Sequence, residues 1–152
     1  MGVGALQKPG GSWCPHCKPG SGCRIYATRP DECRTFVCSW LIDPEMPDEL
    51  RPDRAKVMLD CDDSGSRLIA RCDPASPLAW RNEPTRTRLR NAATRLWKSE
   101  MTVYAMAGQR IWLITPAGEQ DLGVVDAGSA VSVSKRGDGR AEVTISPREA
   151  LV

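Results

Sequence analysis

The chain has very little histidine, which limits the catalytic centres that it could form. Its 152 residues include a single histidine, His16, so a serine or cysteine nucleophile would have no convincing general base. No glycine-rich loop of the kind that binds phosphates or dinucleotides occurs in the sequence. The sequence therefore favours a non-enzymatic function over catalysis.

Long apolar runs and a large net charge are also lacking. Apolar runs such as 111–114 fall far short of the roughly 18 residues that a membrane helix needs. The formal net charge is +2, with 41% hydrophobic and 26% charged residues, which is typical of a folded protein without a general attraction to nucleic acids or membranes. The first residues lack the basic and apolar regions of a signal peptide. We therefore expect a cytoplasmic protein without membrane contact.

Cysteine, in contrast, is abundant and unevenly distributed. Five of the seven cysteines lie in the first 40 residues, at Cys14, Cys17, Cys23, Cys33 and Cys38. An odd number of cysteines and the missing signal peptide make a disulfide framework the less favoured interpretation. Thiolates that include a Cys-x-x-Cys pair commonly hold a structural zinc ion or an iron–sulfur cluster. The sequence therefore predicts a metal centre near the N-terminus.

The spacing of these cysteines favours one set of four ligands. If residues 30–41 form one unbroken helix, Cys33 and Cys38 lie about 140° apart around its axis, at roughly 100° per residue. They would then not face the same ion, although a helix broken between them would reopen the choice. The simplest set of ligands is Cys14, Cys17, Cys23 and Cys33. We expect Cys38 to pack inward.

Zinc is the favoured metal, and iron or an iron–sulfur cluster is the alternative. Cys-Pro-x-Cys is common in zinc knuckles, and the spacing matches neither of the usual ferredoxin patterns. We expect His16, inside the Cys-x-x-Cys loop, to face solvent rather than bind the metal. In the iron alternative, Cys38 would supply a reactive extra thiol to a redox sensor.

Residues 23–34 resemble a known family signature. They read Cys-Arg-Ile-Tyr-Ala-Thr-Arg-Pro-Asp-Glu-Cys-Arg, which is similar to the signature Cys-x-Ile-Tyr-x-x-Arg-Pro-x-x-Cys-Arg of the YkgJ-type zinc- or iron-chelating domain proteins of bacteria. The resemblance covers roughly residues 13–42. It implies that Cys23 and Cys33 bind metal together with an upstream pair, here Cys14 and Cys17. Those proteins usually open with adjacent cysteines, which this chain lacks, so a single ion is expected rather than a multinuclear site.

Three further residues of the signature have expected structural roles. We expect Tyr26 to pack the loop, Pro30 to begin a helix, and Arg29 to neutralise the thiolates. A zinc ion with four thiolate ligands carries a formal charge near −2, and further cations could compensate it. These cations are Lys18, Arg24 and Arg34.

The remaining pattern predicts an α+β fold. A helix from Pro30 should stop at Pro44, and an extended connector should cover residues 43–54. Apolar spacing predicts a second helix from residue 84 or 85 to 99. Strands are predicted at 57–59, 68–72, 102–106, 110–115, 120–125, 130–135 and 141–145. A Cys-rich, metal-bound N-terminal lobe with a short helix should therefore pack on, or precede, a small antiparallel sheet with one further helix.

The predicted organisation has three parts. Residues 1–12 form a flexible N-terminus, 13–50 the metal-binding lobe, and 51–152 the α+β lobe, unless 13–152 is one continuous domain. We expect the strands of the last part to supply the main core and an interaction surface. The expected core residues are Trp112, Ile114, Val125, Val131, Val133, Val143 and Ile145.

The remaining cysteines, a carboxylate cluster and a basic segment are interpreted as structural features rather than as functional sites. Cys61 and Cys72 lie in predicted strands without metal spacing, so both are expected in the core. The carboxylates Asp60, Asp62 and Asp63 are interpreted as part of a hairpin turn. Residues 81–98 contain six basic side chains, interpreted as a solvated helix face: Arg81, Arg86, Arg88, Arg90, Arg95 and Lys98.

These observations lead to one favoured function and two alternatives. We expect a small cytoplasmic zinc protein whose four-cysteine site is structural and which interacts with a protein partner of unknown identity. The first alternative is an iron or iron–sulfur redox or sensor protein. The second is a zinc-scaffolded nucleic-acid-binding module that uses residues 81–98, although nucleic acid is the less favoured partner.

Overall fold

Short elements make up the N-terminal part of the chain. The computed structural model describes residues 2–9, 12, 14–18, 21–62, 64–126 and 128–147. A 3₁₀ turn at Gly4–Leu6 is closed by a β-bridge between Val3 and Lys8, and the Ala5 N–H donates to Glu32 Oε1 at 3.3 Å. The elements that follow are β1 (Cys17–Lys18), β2 (Gly22–Cys23), a 3₁₀ turn (Tyr26–Thr28), α1 (Asp31–Thr35) and α2 (Ser39–Ile42).

The prediction of one helix over residues 30–41 is wrong. Helix α1 begins directly after Pro30, as expected, but it ends at Thr35, and α2 starts at Ser39. Between them Phe36 (φ −66°, ψ 127°) and Cys38 (φ −112°, ψ 163°) are extended. Thr35 and Val37 are β-branched and disfavour a helix. The break removes the geometric argument against a joint role for Cys33 and Cys38.

The connector at residues 43–54 is helical in part rather than extended. It contains a 3₁₀ turn at Asp48–Leu50 and the short helix α3 at Pro52–Ala55. Proline suits the first helical position because it lacks the N–H that would have no partner there. Leu50 is 4% exposed and anchors this segment. Helices α2 and α3 both contact the first strand of the main sheet.

The main sheet has five strands and is mixed rather than antiparallel throughout. Its strands are β3 (Val57–Cys61), β4 (Arg67–Cys72), β5 (Thr102–Ala107), β6 (Arg110–Thr115) and β7 (Gly118–Val124), and they are paired in that order. Strands β4 and β5 are parallel, whereas the other neighbours are antiparallel. Parallel neighbours need a long crossover connection. Helix α4 (Thr85–Leu96) lies in that connection, so the chain is an α+β protein with a β-α-β unit.

Helix α4 covers one face of this sheet. It contacts β5 and β6, and its buried face carries Leu89, Ala92 and Ala93 at helical spacing. Two tryptophans lie in the same core, with the ring centroids of Trp80 and Trp112 5.6 Å apart. The buried sheet residues of this core are Val57, Leu59, Ala70, Cys72, Val103, Ala105, Trp112 and Ile114.

The last two strands form a separate hairpin. They are β8 (Ala130–Lys135) and β9 (Ala141–Ser146), paired antiparallel with each other alone. Lys135 Nζ donates to the carbonyls of Ser99 and Met101, each at 2.6 Å, and Trp97 Nε1 donates to the Arg136 carbonyl at 2.9 Å. The hairpin is therefore attached to the end of the α4 region.

The expected core residues divide between the sheet and this hairpin. Trp112, Ile114 and Val125 are buried, which confirms the prediction for them. Val131, Val133 and Val143 are only half-buried, and Ile145 is 42% exposed, so their assignment to the main core is wrong. Two strands cannot enclose an apolar face by themselves. Within the described ranges, no helix is long and apolar enough to cross a membrane.

Candidate metal centre

Cys17 and Cys23 lie directly opposite each other on β1 and β2. The Arg24 N–H donates to the His16 carbonyl at 2.9 Å, so a hydrogen bond of the ladder joins the residues that flank this pair. Cys17 and Cys23 therefore occupy a non-hydrogen-bonded position, where Cα atoms are about 4.5 Å apart and both side chains project from one face. Gly22 has a φ of +91°, a backbone conformation that glycine adopts far more readily than other residues.

Cys14 joins this pair through a tight turn. The Cys17 N–H donates to the Cys14 carbonyl at 2.9 Å, three residues back along the chain. This is the turn expected of a Cys-x-x-Cys knuckle. Cys14 and Cys17 are half-buried and Cys23 is exposed. The fold thus brings three of the predicted ligands into one short turn and hairpin.

The other two predicted ligands have different surroundings. Cys33 lies on α1 and is half-buried, whereas Cys38 precedes α2 and is 4% exposed. The expectation that Cys38 packs inward is confirmed, although the unbroken helix from which it was argued is absent. Across the residues that the structure describes, no group of three or more His, Cys, Asp or Glu side chains is arranged to hold a metal ion. The five cysteines are therefore brought together only in part.

Arginines of the signature hold the segment between Cys23 and Cys33. Arg34 donates from Nη2 to the Ala27 carbonyl at 2.8 Å and from Nε to the Arg29 carbonyl at 3.0 Å. Arg29 donates from Nη1 to the Tyr26 carbonyl, and its guanidinium carbon lies 3.8 Å from the centroid of the Tyr26 ring. Because Tyr26 is 65% exposed, it contacts the loop through Arg29 rather than being packed beneath it. Both arginines thus fix the loop between two predicted ligands.

A cleft separates the cysteine hairpin from the first two strands of the sheet. Its volume is about 1370 Å³. Its lining residues include Cys14 and Cys17 together with Asp60, Cys61 and Arg71. Cys14 and Cys17 therefore border the same cleft as residues of β3 and β4.

An ion pair at this cleft was not predicted from the sequence. Arg71 Nε lies 3.0 Å from both carboxylate oxygens of Asp60, which is 9% exposed. Asp60 is on β3, so its assignment to the turn is wrong. Asp62 does belong to the turn, where its carboxylate accepts from Ser64 Oγ at 2.7 Å and the Arg67 N–H at 2.9 Å. Asp63 lies outside the described residues.

Cys61 and Cys72 differ from each other in exposure. Cys72 is buried, as expected, and burial raises the pKa of its thiol to about 11. Cys61 is exposed at the end of β3, so its assignment to the core is wrong. Cys61 pairs with Leu68 and Cys72 with Val57, which places the two thiols at opposite ends of the hairpin. No signal in the sequence distinguishes these two positions, because both follow similar apolar runs.

Two arginines of the basic segment form ion pairs with other elements of the fold. Arg81 forms an ion pair with Glu119 on β7, and Arg88 Nη2 lies 3.0 Å from Asp43 Oδ2, just after α2. The latter pair links α4 to the N-terminal part of the chain. Arg86, Arg90 and Arg95 are exposed on α4, as expected for a solvated helix face.

Comparison of the chain with protein-family models, with curated proteins and with solved structures gave no significant match.

Proposed function

We propose that the N-terminal part of the chain is a structural zinc site. The observation that carries this proposal is the pairing of Cys17 with Cys23, with Cys14 one tight turn away. The donor set fits the ion, because zinc in structural sites is bound by thiolates in a tetrahedron that begins with a Cys-x-x-Cys turn. Three ligands would come from this turn and hairpin, and the fourth from α1 or the segment after it.

We assign the fourth position to Cys33 rather than Cys38. Arg34 and Arg29 hold the segment that joins Cys23 to Cys33, so these two cysteines are connected by an ordered loop. Cys33 is half-buried, whereas Cys38 is packed inward. The resemblance of residues 23–34 to the YkgJ-type signature supports the same assignment.

The ion would stabilise the fold of this part of the chain. Among described residues before residue 50, only Val3 and Cys38 are buried, so this segment has little apolar core of its own. Metal binding supplies folding free energy to such segments. Lys18, Arg24, Arg29 and Arg34 would offset the negative charge of the thiolates. We place this zinc protein in the cytoplasm. Its zinc-stabilised segment would present a surface to a protein partner.

Zinc affinity of single-cysteine variants tests the ligand assignment. We expect Cys14→Ser, Cys17→Ser, Cys23→Ser and Cys33→Ser each to weaken zinc binding by at least about tenfold, as loss of a ligand does. The affinity is measured by competition with a chromogenic chelator. Cys61→Ser is the matched control, because Cys61 is exposed and lies on β3. A Cys38→Ser variant that loses zinc while Cys33→Ser retains it would overturn the assignment of the fourth ligand.

A further inference from the structure

The position of Cys17 and Cys23 has a second chemical consequence. Their non-hydrogen-bonded pairing brings the Cα atoms to about 4.5 Å, within the span of about 4.4–6.8 Å that a disulfide bridges. Cys17 is half-buried and Cys23 is exposed, so an oxidant can reach the pair from solvent. Thiols on opposite strands need little movement to bond, since their side chains already share one face.

We propose that Cys17 and Cys23 form a peroxide-sensitive dithiol, whose oxidation closes a disulfide across the β1–β2 hairpin. In the first step the exposed Cys23 thiolate attacks peroxide: an S–O bond forms, the O–O bond breaks, and one water leaves. In the second step Cys17 attacks the resulting sulfenic acid: an S–S bond forms, the S–O bond breaks, and a second water leaves. Two electrons and two protons pass from the thiols to the peroxide.

The other cysteines are less suited to this reaction. Cys72 is buried, and Cys61 lies at the opposite end of the β3–β4 hairpin from it. Cys38 is packed inward. Cys14 and Cys33 are the remaining competitors for Cys17. Cys14 is joined to Cys17 by a tight turn, and Cys33 is half-buried on α1. A Cys14–Cys17 bond would close a ring within the turn, whereas a Cys17–Cys23 bond would join the two strands at their paired position, so the residues that the disulfide encloses distinguish the two.

Zinc would protect the dithiol, and oxidation would release zinc. The release of zinc rests on the proposed zinc site, because a Cys17–Cys23 disulfide would remove two of the four thiolates that bind the ion. The disulfide itself depends on the β1–β2 register, which backbone pairing sets, whereas zinc would stabilise the wider segment around the hairpin. Metal-free and zinc-loaded protein therefore test different statements.

Thiol counting on the full chain tests the dithiol. Metal-free protein is treated with hydrogen peroxide, remaining thiols are alkylated, and intact mass spectrometry counts them. We expect the wild type and Cys33→Ser to lose two thiols together. Cys17→Ser and Cys23→Ser should lose the paired step and stop at single-thiol oxidation. Retention of the paired loss in Cys23→Ser, with its disappearance in Cys14→Ser, would overturn the proposal in favour of a Cys14–Cys17 bond.

A measurement on the wild type avoids dependence on the folding of variants. Tandem mass spectrometry of the oxidised peptide should show no backbone fragments between residues 17 and 23 and normal fragments between 14 and 17. The reverse pattern would overturn the proposal. Zinc-loaded protein should release zinc with the time course of disulfide formation. If the protein forms the disulfide but binds no zinc, the dithiol is supported and the zinc site is refuted. If it binds zinc but peroxide forms no disulfide in the metal-free protein, the zinc site is supported and the dithiol is refuted.

Discussion

The ion pair between Asp60 and Arg71 predicts an asymmetric loss of stability when either partner is changed. Asp60 has a side chain that is 11% exposed, whereas that of Arg71 is 37% exposed. Arg71→Met keeps most of the apolar stem but leaves the Asp60 carboxylate enclosed without its cation. Breaking a fully buried pair costs about 3–5 kcal/mol. Because water reaches the arginine side, we expect about 2–3 kcal/mol for Arg71→Met.

The change on the other side of the pair should be smaller. Asp60→Asn keeps the shape and one oxygen acceptor, and water can solvate the exposed part of the Arg71 guanidinium. We expect a loss of about 0.5–1.5 kcal/mol, the range for one intramolecular hydrogen bond. Urea unfolding at pH 7, with an unchanged m-value, measures both losses.

A control on the same strand separates the ion pair from general effects of the substitution. Arg67 also lies on β4, with its Nε 3.9 Å from Asp62 Oδ2 and its side chain 49% exposed. Exposed pairs contribute little, so Arg67→Met should cost less than about 1 kcal/mol. The reasoning is refuted if Asp60→Asn costs as much as Arg71→Met, or if Arg67→Met matches either of them.

Two further predictions concern a turn glycine and a buried thiol. Gly139→Ala should lower the free energy of unfolding by about 1–3 kcal/mol, because φ is +81° and the new Cβ would lie 3.1 Å from Pro116 Cβ. Gly137→Ala is the control and should be nearly neutral, because a Cβ there meets nothing within 4 Å. Equal losses in thermal or urea unfolding would contradict this steric explanation. Cys72 should resist iodoacetamide at pH 8 while Cys61 reacts, since burial raises the pKa of the Cys72 thiol to about 11. Between about pH 9 and pH 11 the Cys72 thiol loses its proton in the unfolded state but keeps it in the folded state. The stability that the protonated thiol contributes is therefore complete below about pH 9 and is lost as the pH rises to about 11. Labelling of both Cys61 and Cys72 at pH 8 in the folded protein would contradict the burial of Cys72.

Local periodicity predicted the secondary structure better than the arrangement of the strands. Helix α4 and the β3–β4 hairpin follow directly from apolar spacing and turn residues. The parallel pairing of β4 with β5 does not, because strand periodicity carries no information about which strand lies alongside. The break at 36–38 was missed because the apolar spacing around it still fits a helix, whereas extended backbone there buries Cys38.

The candidate site was predictable only as a set of residues. Cysteine spacing and the resemblance at residues 23–34 predict Cys14, Cys17, Cys23 and Cys33 as ligands, but spacing alone does not give the register that places Cys17 opposite Cys23. The cleft and its Asp60–Arg71 pair depend on how β3 and β4 meet the N-terminal part, which no local pattern encodes. The tertiary arrangement therefore adds the pairing of Cys17 with Cys23 and the cleft to a metal site that the sequence predicts.

The metal content of the native protein tests the zinc site most directly. The full chain would be purified without air and without a metal-affinity tag, then analysed by inductively coupled plasma mass spectrometry and visible absorption. We expect about one zinc ion per chain and no visible bands, as for a thiolate site of d¹⁰ zinc. Iron with charge-transfer bands in the visible, or protein that carries no metal and takes up no zinc on reconstitution, would contradict it.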